Sequence, residues 1–317
     1  VRWLGWLGLW MVGLGVVGMT GLRAQEAGGG EEAEEEVKAG YVRFVEDEDG
    51  AARLETSVVT LANEKGVRVD LIGAVHVGDA AYYEGLNERF KEYDKVLYEL
   101  VGRPEPGKPL GHRALEGDQR LQWLGVLQEK MKTALKLEGQ LEKVDYMAAN
   151  LVHADMDMEK FEATQKENQE TFFGLWMKAM AAQQGMAQEG RAGGDLAALV
   201  MLMKLLTKKA GPDDLKRFIG REFDQVEQLM VGIEANGGTV IIGERNRVAL
   251  EVLDKEMKAG VKKLGIFYGA AHFPDMEKRL AERGFKLVGT EWLTAWDIPV
   301  KAEKVPAAGG GKEAEAK

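Results

Sequence analysis

Val67-Arg68-Val69-Asp70-Leu71-Ile72-Gly73-Ala74-Val75-His76-Val77-Gly78-Asp79 is the stretch that decides the fold. Residues 67–73 are apolar and β-branched enough to read as a strand, Gly73 permits a tight exit, and Asp79 stands as a cap before a helical pattern reaching Phe90. Lys95-Val96-Leu97-Tyr98-Glu99-Leu100 then reads as a short buried strand, so a strand–helix–strand unit results. Near the other end the pattern returns. Residues 263–268 predict a strand, Gly269-Ala270-Ala271-His272-Phe273-Pro274-Asp275 follows it, and a helix is expected over 275–283. Both segments read G-A-x-H-x-x-D. Junctions of this kind are where α/β proteins assemble sites, because side chains project beyond the strand ends and helix N-termini offer oriented donors.

Working outward, 41–45 and 54–61 read as further strands, as do 239–242 and 285–293, with a helix over 244–258. Between about 113 and 235 the spacing turns helical, as in Leu121, Leu124, Leu127 and Met131, or Leu215, Phe218, Phe223, Val226 and Met230. The expected architecture is α/β. A mixed central sheet is built from two halves containing Gly-x-x-His, with a large all-α insertion at about 113–235 between them.

The ends carry a different composition. Arg2, the uncharged stretch 3–22 and Ala24 fit an export signal over 1–24, and uncleaved anchoring is the rival because the stretch could just span a bilayer. A periplasmic or secreted location is expected. Residues 25–40, with Gly28-Gly29-Gly30 and the acidic run 31–36, predict a disordered linker. Residues 301–317 predict a disordered tail. That leaves 41–300 as the folded domain.

The chain has 317 residues, 45% hydrophobic and 30% charged, which is enough for one sizeable core. It has no cysteine, which excludes disulfides, thiolate metal sites and cysteine nucleophiles. A formal charge of −10 without a basic cluster argues against nucleic acid as a partner. Gly13-Leu14-Gly15-Val16-Val17-Gly18 imitates a dinucleotide fingerprint, but it lies in the export segment with no strand before it. The stretch 102–109 imitates a phosphate loop with Pro109 where Ser or Thr is required.

Chemistry concentrates in a few residues. His76 and His272 are two of only four histidines, and they share the repeated motif. Glu99 is flanked by Val96, Leu97, Leu100 and Val101, so its burial calls for a partner, either a metal or Arg245. Gly243-Glu244-Arg245-Asn246-Arg247 follows the strand expected at 239–242 and starts a helix, which would set a carboxylate, a guanidinium and an amide where a substrate could be clamped. His112 and His153 are weaker candidates, and Glu291 is held in reserve.

A Gly-x-x-His after an early strand, a Glu on the next strand, the pair Arg245-Asn246 and a second Gly-x-x-His together resemble the TraB/PrgY/GumN/TIKI family, within the erythromycin esterase and ChaN-like superfamily. The resemblance spans roughly 41–298, with Asp145-Tyr146 and His153-Ala154-Asp155-Met156 similar to bacterial members. It implies a hydrolase, since animal members are described as divalent-metal-dependent proteases and the PrgY/TraB branch is associated with shutting down a peptide pheromone. Carried over, the catalytic positions are His76, Glu99, Arg245 and His272, and the metal positions His76, Glu99, Asn246 and His272. The implied cofactor is a divalent ion (Mn, Co or Zn), and the implied partner is a peptide or small-molecule substrate.

Two neutral imidazoles and a carboxylate leave coordination positions open, so a bound water can serve as nucleophile. Arg245 would stabilise developing charge, and Asn246 would ligate or orient. Without a metal, one histidine would act as general base. The alternative to an enzyme is a binding protein for a peptide signal, haem or metal.

Overall fold

The computed structural model describes residues 40–102, 132–167, 211–221 and 240–300. Nine strands are described: β1 (Val42–Glu46), β2 (Ala52–Ala62), β3 (Arg68–Ala74), β4 (Val77–Gly78), β5 (Lys95–Tyr98), β6 (Glu138–Gly139), β7 (Leu151–His153), β8 (Lys263–Gly269) and β9 (Lys286–Ile298). The helices are α1 (Ala80–Phe90), α2 (Gln140–Lys143), α3 (Met158–Glu167), α4 (212–221), α5 (Arg245–Lys258) and α6 (Phe273–Glu282), with a further helical turn described at 132–135. The expected export signal, most of the acidic linker and the tail lie outside the described residues. No described helix is long and apolar enough to cross a membrane.

The fold is mixed α/β around one seven-stranded sheet. β9 covers one edge of β2 along its length, while β1 and β3 share the other edge, all antiparallel to it. From β3 the sheet continues through β8, β5 and β7 as parallel strands. Alternate side chains feed two cores. Val58, Ile72, Val96 and Phe267 pack under Tyr82, Tyr83 and Leu86 of α1, whereas Leu71, Leu97 and Ile266 pack under Leu250 and Leu253 of α5 and Met276 and Leu280 of α6. This two-sided cover is what a parallel stretch of sheet requires.

Because β3 and β8 are adjacent and parallel, with Ala74 level with Gly269, both repeated motifs leave the sheet at the same edge. Gly73 is needed there for closeness, since a Cβ would stand 3.1 Å from Ser57 O and from Thr56 Cβ. Parallel strands, closely stacked and leaving together, thus deliver two histidine loops to one place.

Three expectations change. The stretch read as a strand over 239–242 is, from Val240 to Glu244, a π-helical turn leading into α5. A short apolar run cannot separate strand from helix by period alone, and β8 already has β3 and β5 on its two edges. The region read as all-α contains α2, α3 and α4, but also β6 and the sheet strand β7, which pairs with β5. Strands of two or three residues carry no readable alternation, and 113–131, 168–210 and 222–235 lie outside the described residues. Asp79 occupies the position before α1 yet makes no capping bond; its carboxylate accepts from Lys216 Nζ (2.9 Å) and Asp297 N (2.6 Å).

Candidate functional site

The site is a buried polar cluster where β3, β8, β5 and β7 end. Each of these strands hands over one charged or hydrogen-bonding residue just past its last paired position: His76 after β3, His272 after β8, Glu99 after β5 and Asp155 after β7. The first turn of α5 adds Arg245 and Asn246, both fully buried.

Arg245 is the hub. Its Nε donates to Asp155 Oδ1 (2.9 Å), and its Nη2 donates to Asp155 Oδ2 and to Glu99 Oε1. Glu99 Oε2 accepts from Gly269 N at 2.9 Å, so the second motif's glycine serves through its backbone donor. Asp155 also accepts from Met156 N (2.7 Å). Two carboxylates thus face one guanidinium. Burial pushes the Glu99 carboxyl up, but Arg245, His272 and the Gly269 N–H outweigh it and hold that group below the usual range. Burial opposes the charge on Arg245, yet Asp155 and Glu99 raise its proton affinity further.

His272 is held with its ring orientation defined. Asn246 Nδ2 donates to His272 O (3.0 Å) and to Asp275 Oδ2 (2.8 Å), both of which can only accept. The amide is therefore fixed, and its oxygen is the atom 2.6 Å from His272 Nδ1. Nδ1 must carry a proton to donate to it. The opposite nitrogen, Nε2, lies 3.4 Å from Glu99 Oε1. In the neutral ring Nε2 is a lone pair facing a carboxylate oxygen; in the charged ring it is a donor to it. The ring also stands edge-on to Tyr268, centroids 5.2 Å apart, whose hydroxyl donates to Ala154 O.

His76 reaches the cluster by a different route. Its Nε2 is enclosed although the ring as a whole keeps partial exposure. Burial, reinforced by Arg245, pushes its pKa down to about 4, against the opposing pull of Glu99 and Gln140. It is therefore a neutral imidazole at neutral pH. Glu99 is the electrostatic neighbour that the two motif histidines share.

All five sequence-derived positions, His76, Glu99, Arg245, Asn246 and His272, thus fall in one neighbourhood. Of the two partners considered for Glu99, Arg245 is the one in contact. Among the described residues no three His, Asp or Glu side chains form a ready metal cage; the His272–Glu99 pair is one edge of such a site. His153 donates from Nε2 to Leu100 O (2.6 Å) beside Tyr98, a structural tie. Glu291 pairs with Arg89 at the surface. His112 lies outside the described residues. Sequence reasoning named Asp155 only as a companion of His153 and missed its ion pair, although it ends a short apolar run, as Glu99 does.

Comparison of the chain with family models, with curated proteins and with solved structures returned no match.

Proposed function

We propose that the chain is an exported hydrolase of the TraB/PrgY/GumN/TIKI type acting on peptides, with its centre where two Gly-x-x-His halves meet beside a helical insertion. The observation that carries this reading is the His272–Glu99 pair. Arg245 already serves Glu99 Oε1, and a proton or a cation between that oxygen and His272 Nε2 would satisfy the second buried acceptor as well. Their 3.4 Å separation exceeds the ~2.7–2.9 Å of a charge-assisted hydrogen bond. It suits two ligands of one ion, because bonds of about 2.0–2.2 Å at tetrahedral angles give an edge of about 3.4 Å.

The residue types suit a divalent ion (Mn, Co or Zn): His272 Nε2 and Glu99 Oε1 form one edge of a site, and His76 would have to draw closer to add a third, neutral donor. When bound, such an ion polarises a carbonyl and acidifies a water. The protein's own residues do the rest. Asn246 orients rather than ligates, since its oxygen is taken by His272 Nδ1. Arg245, gripped by Asp155, keeps Glu99 ionised and supplies the fixed positive charge beside the reacting atoms.

The test is metal content and metal titration of the purified chain, with cleavage of a peptide library, for wild type, His272→Ala and Asn246→Ala. One ion per chain and chelator-sensitive cleavage, both lost in His272→Ala, are expected. Cleavage that survives chelation would make His272 and Glu99 a general-base pair instead, and ion or peptide binding without turnover would make the chain a binding protein. Neither ion uptake nor cleavage by wild type would end the reading.

A further inference from the structure

His272 has an amide side chain beside it, and the fold supplies a second amide to His76. β4 and β6 form a two-residue antiparallel ladder, with Val77 opposite Gly139, just where the first motif leaves the sheet. That ladder sets Gln140 next to His76, and the Gln140 N–H donates to His76 O at 2.9 Å. Gln140 is 6% exposed. Its Nε2 donates to the Tyr146 hydroxyl (2.8 Å), while its Oε1 has no hydrogen bond of ordinary geometry among the described residues. Tyr146 is itself fixed edge-on to Tyr98, centroids 4.9 Å apart. A buried amide anchored at one end and turned inward at the other is costly unless its oxygen serves something.

We propose that Gln140 is the positioning residue of His76: its Oε1, aimed by Tyr146, selects which ring nitrogen carries the proton, as Asn246 does for His272. The inference rests on His76 belonging to the working centre proposed above. The backbone hydrogen bond holds Gln140 beside His76, and with Nε2 engaged by Tyr146 the oxygen is the amide atom left to serve the ring. Presenting a lone pair from His76 in one fixed direction follows from this arrangement, just as it does for His272. The two motifs, although built on different loops, then end in the same device.

The experiment is imidazole 15N NMR of the purified full chain, wild type against Gln140→Ala, Gln140→Glu and Tyr146→Phe. Wild-type His76 is expected to show two well-separated ring nitrogens, the signature of one tautomer. Gln140→Ala should draw them together as both tautomers become populated, and Gln140→Glu, which keeps an oxygen, should restore the separation. Tyr146→Phe removes a single hydroxyl and should give a partial collapse even where Gln140→Ala fails to fold. His272 signals should stay in place throughout. Unchanged His76 shifts in folded Gln140→Ala, or in Tyr146→Phe if the former does not fold, would overturn the proposal. The readout needs no substrate, so a chain that hydrolyses nothing would sink the hydrolase reading while leaving this assignment to stand or fall alone.

Discussion

The two G-A-x-H-x-x-D segments are near-copies in sequence and unlike in construction. The first leaves β3 as an open loop whose carbonyls are held by side chains: Tyr82 donates to Gly73 O, Tyr83 to Val75 O and Trp296 to Val77 O, at 2.6–2.9 Å. The second leaves β8 directly into a 3-10 turn, Ala270–His272, and then α6, so that its local bonds are mostly helical. Their histidines differ accordingly. His76 sits where desolvation dominates, whereas His272 sits among Glu99, Asn246 and, one step away, Arg245. One motif therefore specifies a location, and its surroundings specify the proton chemistry.

The sharpest way to break the second copy's surroundings is to remove their central charge. Arg245→Met leaves Glu99 and Asp155 buried without a counter-ion, which should destabilise the fold by about 3–5 kcal/mol in urea unfolding. Adding Glu99→Gln and Asp155→Asn should recover much of that loss. A single-variant cost below about 1 kcal/mol would mean that water or a proton already screens the cluster.

Acid separates the two copies by window. The His76 pKa is lowered in the fold, so the unfolded chain binds the proton first and stability falls as pH drops from about 6.5 to about 4. A shift of that size corresponds to roughly 3 kcal/mol, an upper bound because the ring keeps some exposure. Glu99 is also lowered, but it is a carboxylate: its contribution is present above its ordinary pKa of 4.5 and disappears as pH falls through its lower folded value. Urea midpoints between pH 7 and pH 4 should therefore decline in wild type and flatten in His76→Phe. Parallel declines in both would assign the acid sensitivity elsewhere.

The first copy's dependence on borrowed donors predicts a smaller effect. Tyr83→Phe leaves Val75 O buried without its hydroxyl partner and should cost about 1–2 kcal/mol while leaving His272 NMR signals unmoved. A shift at His272 of similar size to that at His76 would show that the two loops are one mechanical unit.

How much of this was legible in the sequence follows from the same physics. β2, β3, β5, β8, α1 and α5 announce themselves by period and composition, and the repeated motif picks out His76 and His272. β9 reads as ending at 293 because extra residues at Val288 and Ala295 break its alternation against β2, whereas the strand continues to Ile298. Bulges of this kind also suit an edge strand that must not pair with other chains. Glu99 and Arg245 are visible as charges in apolar or helix-start settings. Asp155 is hidden by the brevity of β7, and Gln140 by its polar neighbours. Only the β4–β6 ladder, a contact between residues about sixty apart, brings Gln140 to His76.

The closing aspartates of the two motifs give the subtlest contrast. Asp79 grips Lys216 of α4 and the N–H of Asp297, tying helix, loop and final strand together. Asp275 instead accepts from Asn246 Nδ2 and Arg279 Nε, so it braces the amide that orients His272. Asp79→Asn should thus cost about 1 kcal/mol of stability with both histidine tautomers intact, since Asp79 is partly exposed and asparagine keeps an accepting oxygen for the buried Lys216. Asp275→Asn should cost no more than that, because Arg279 is itself partly exposed, yet it should broaden or shift the His272 ring nitrogens as the Asn246 amide gains freedom to turn. If instead Asp79→Asn perturbs His76 as strongly as Asp275→Asn perturbs His272, the motif's last residue has one role in both copies. The difference in loop construction would then be incidental to the site.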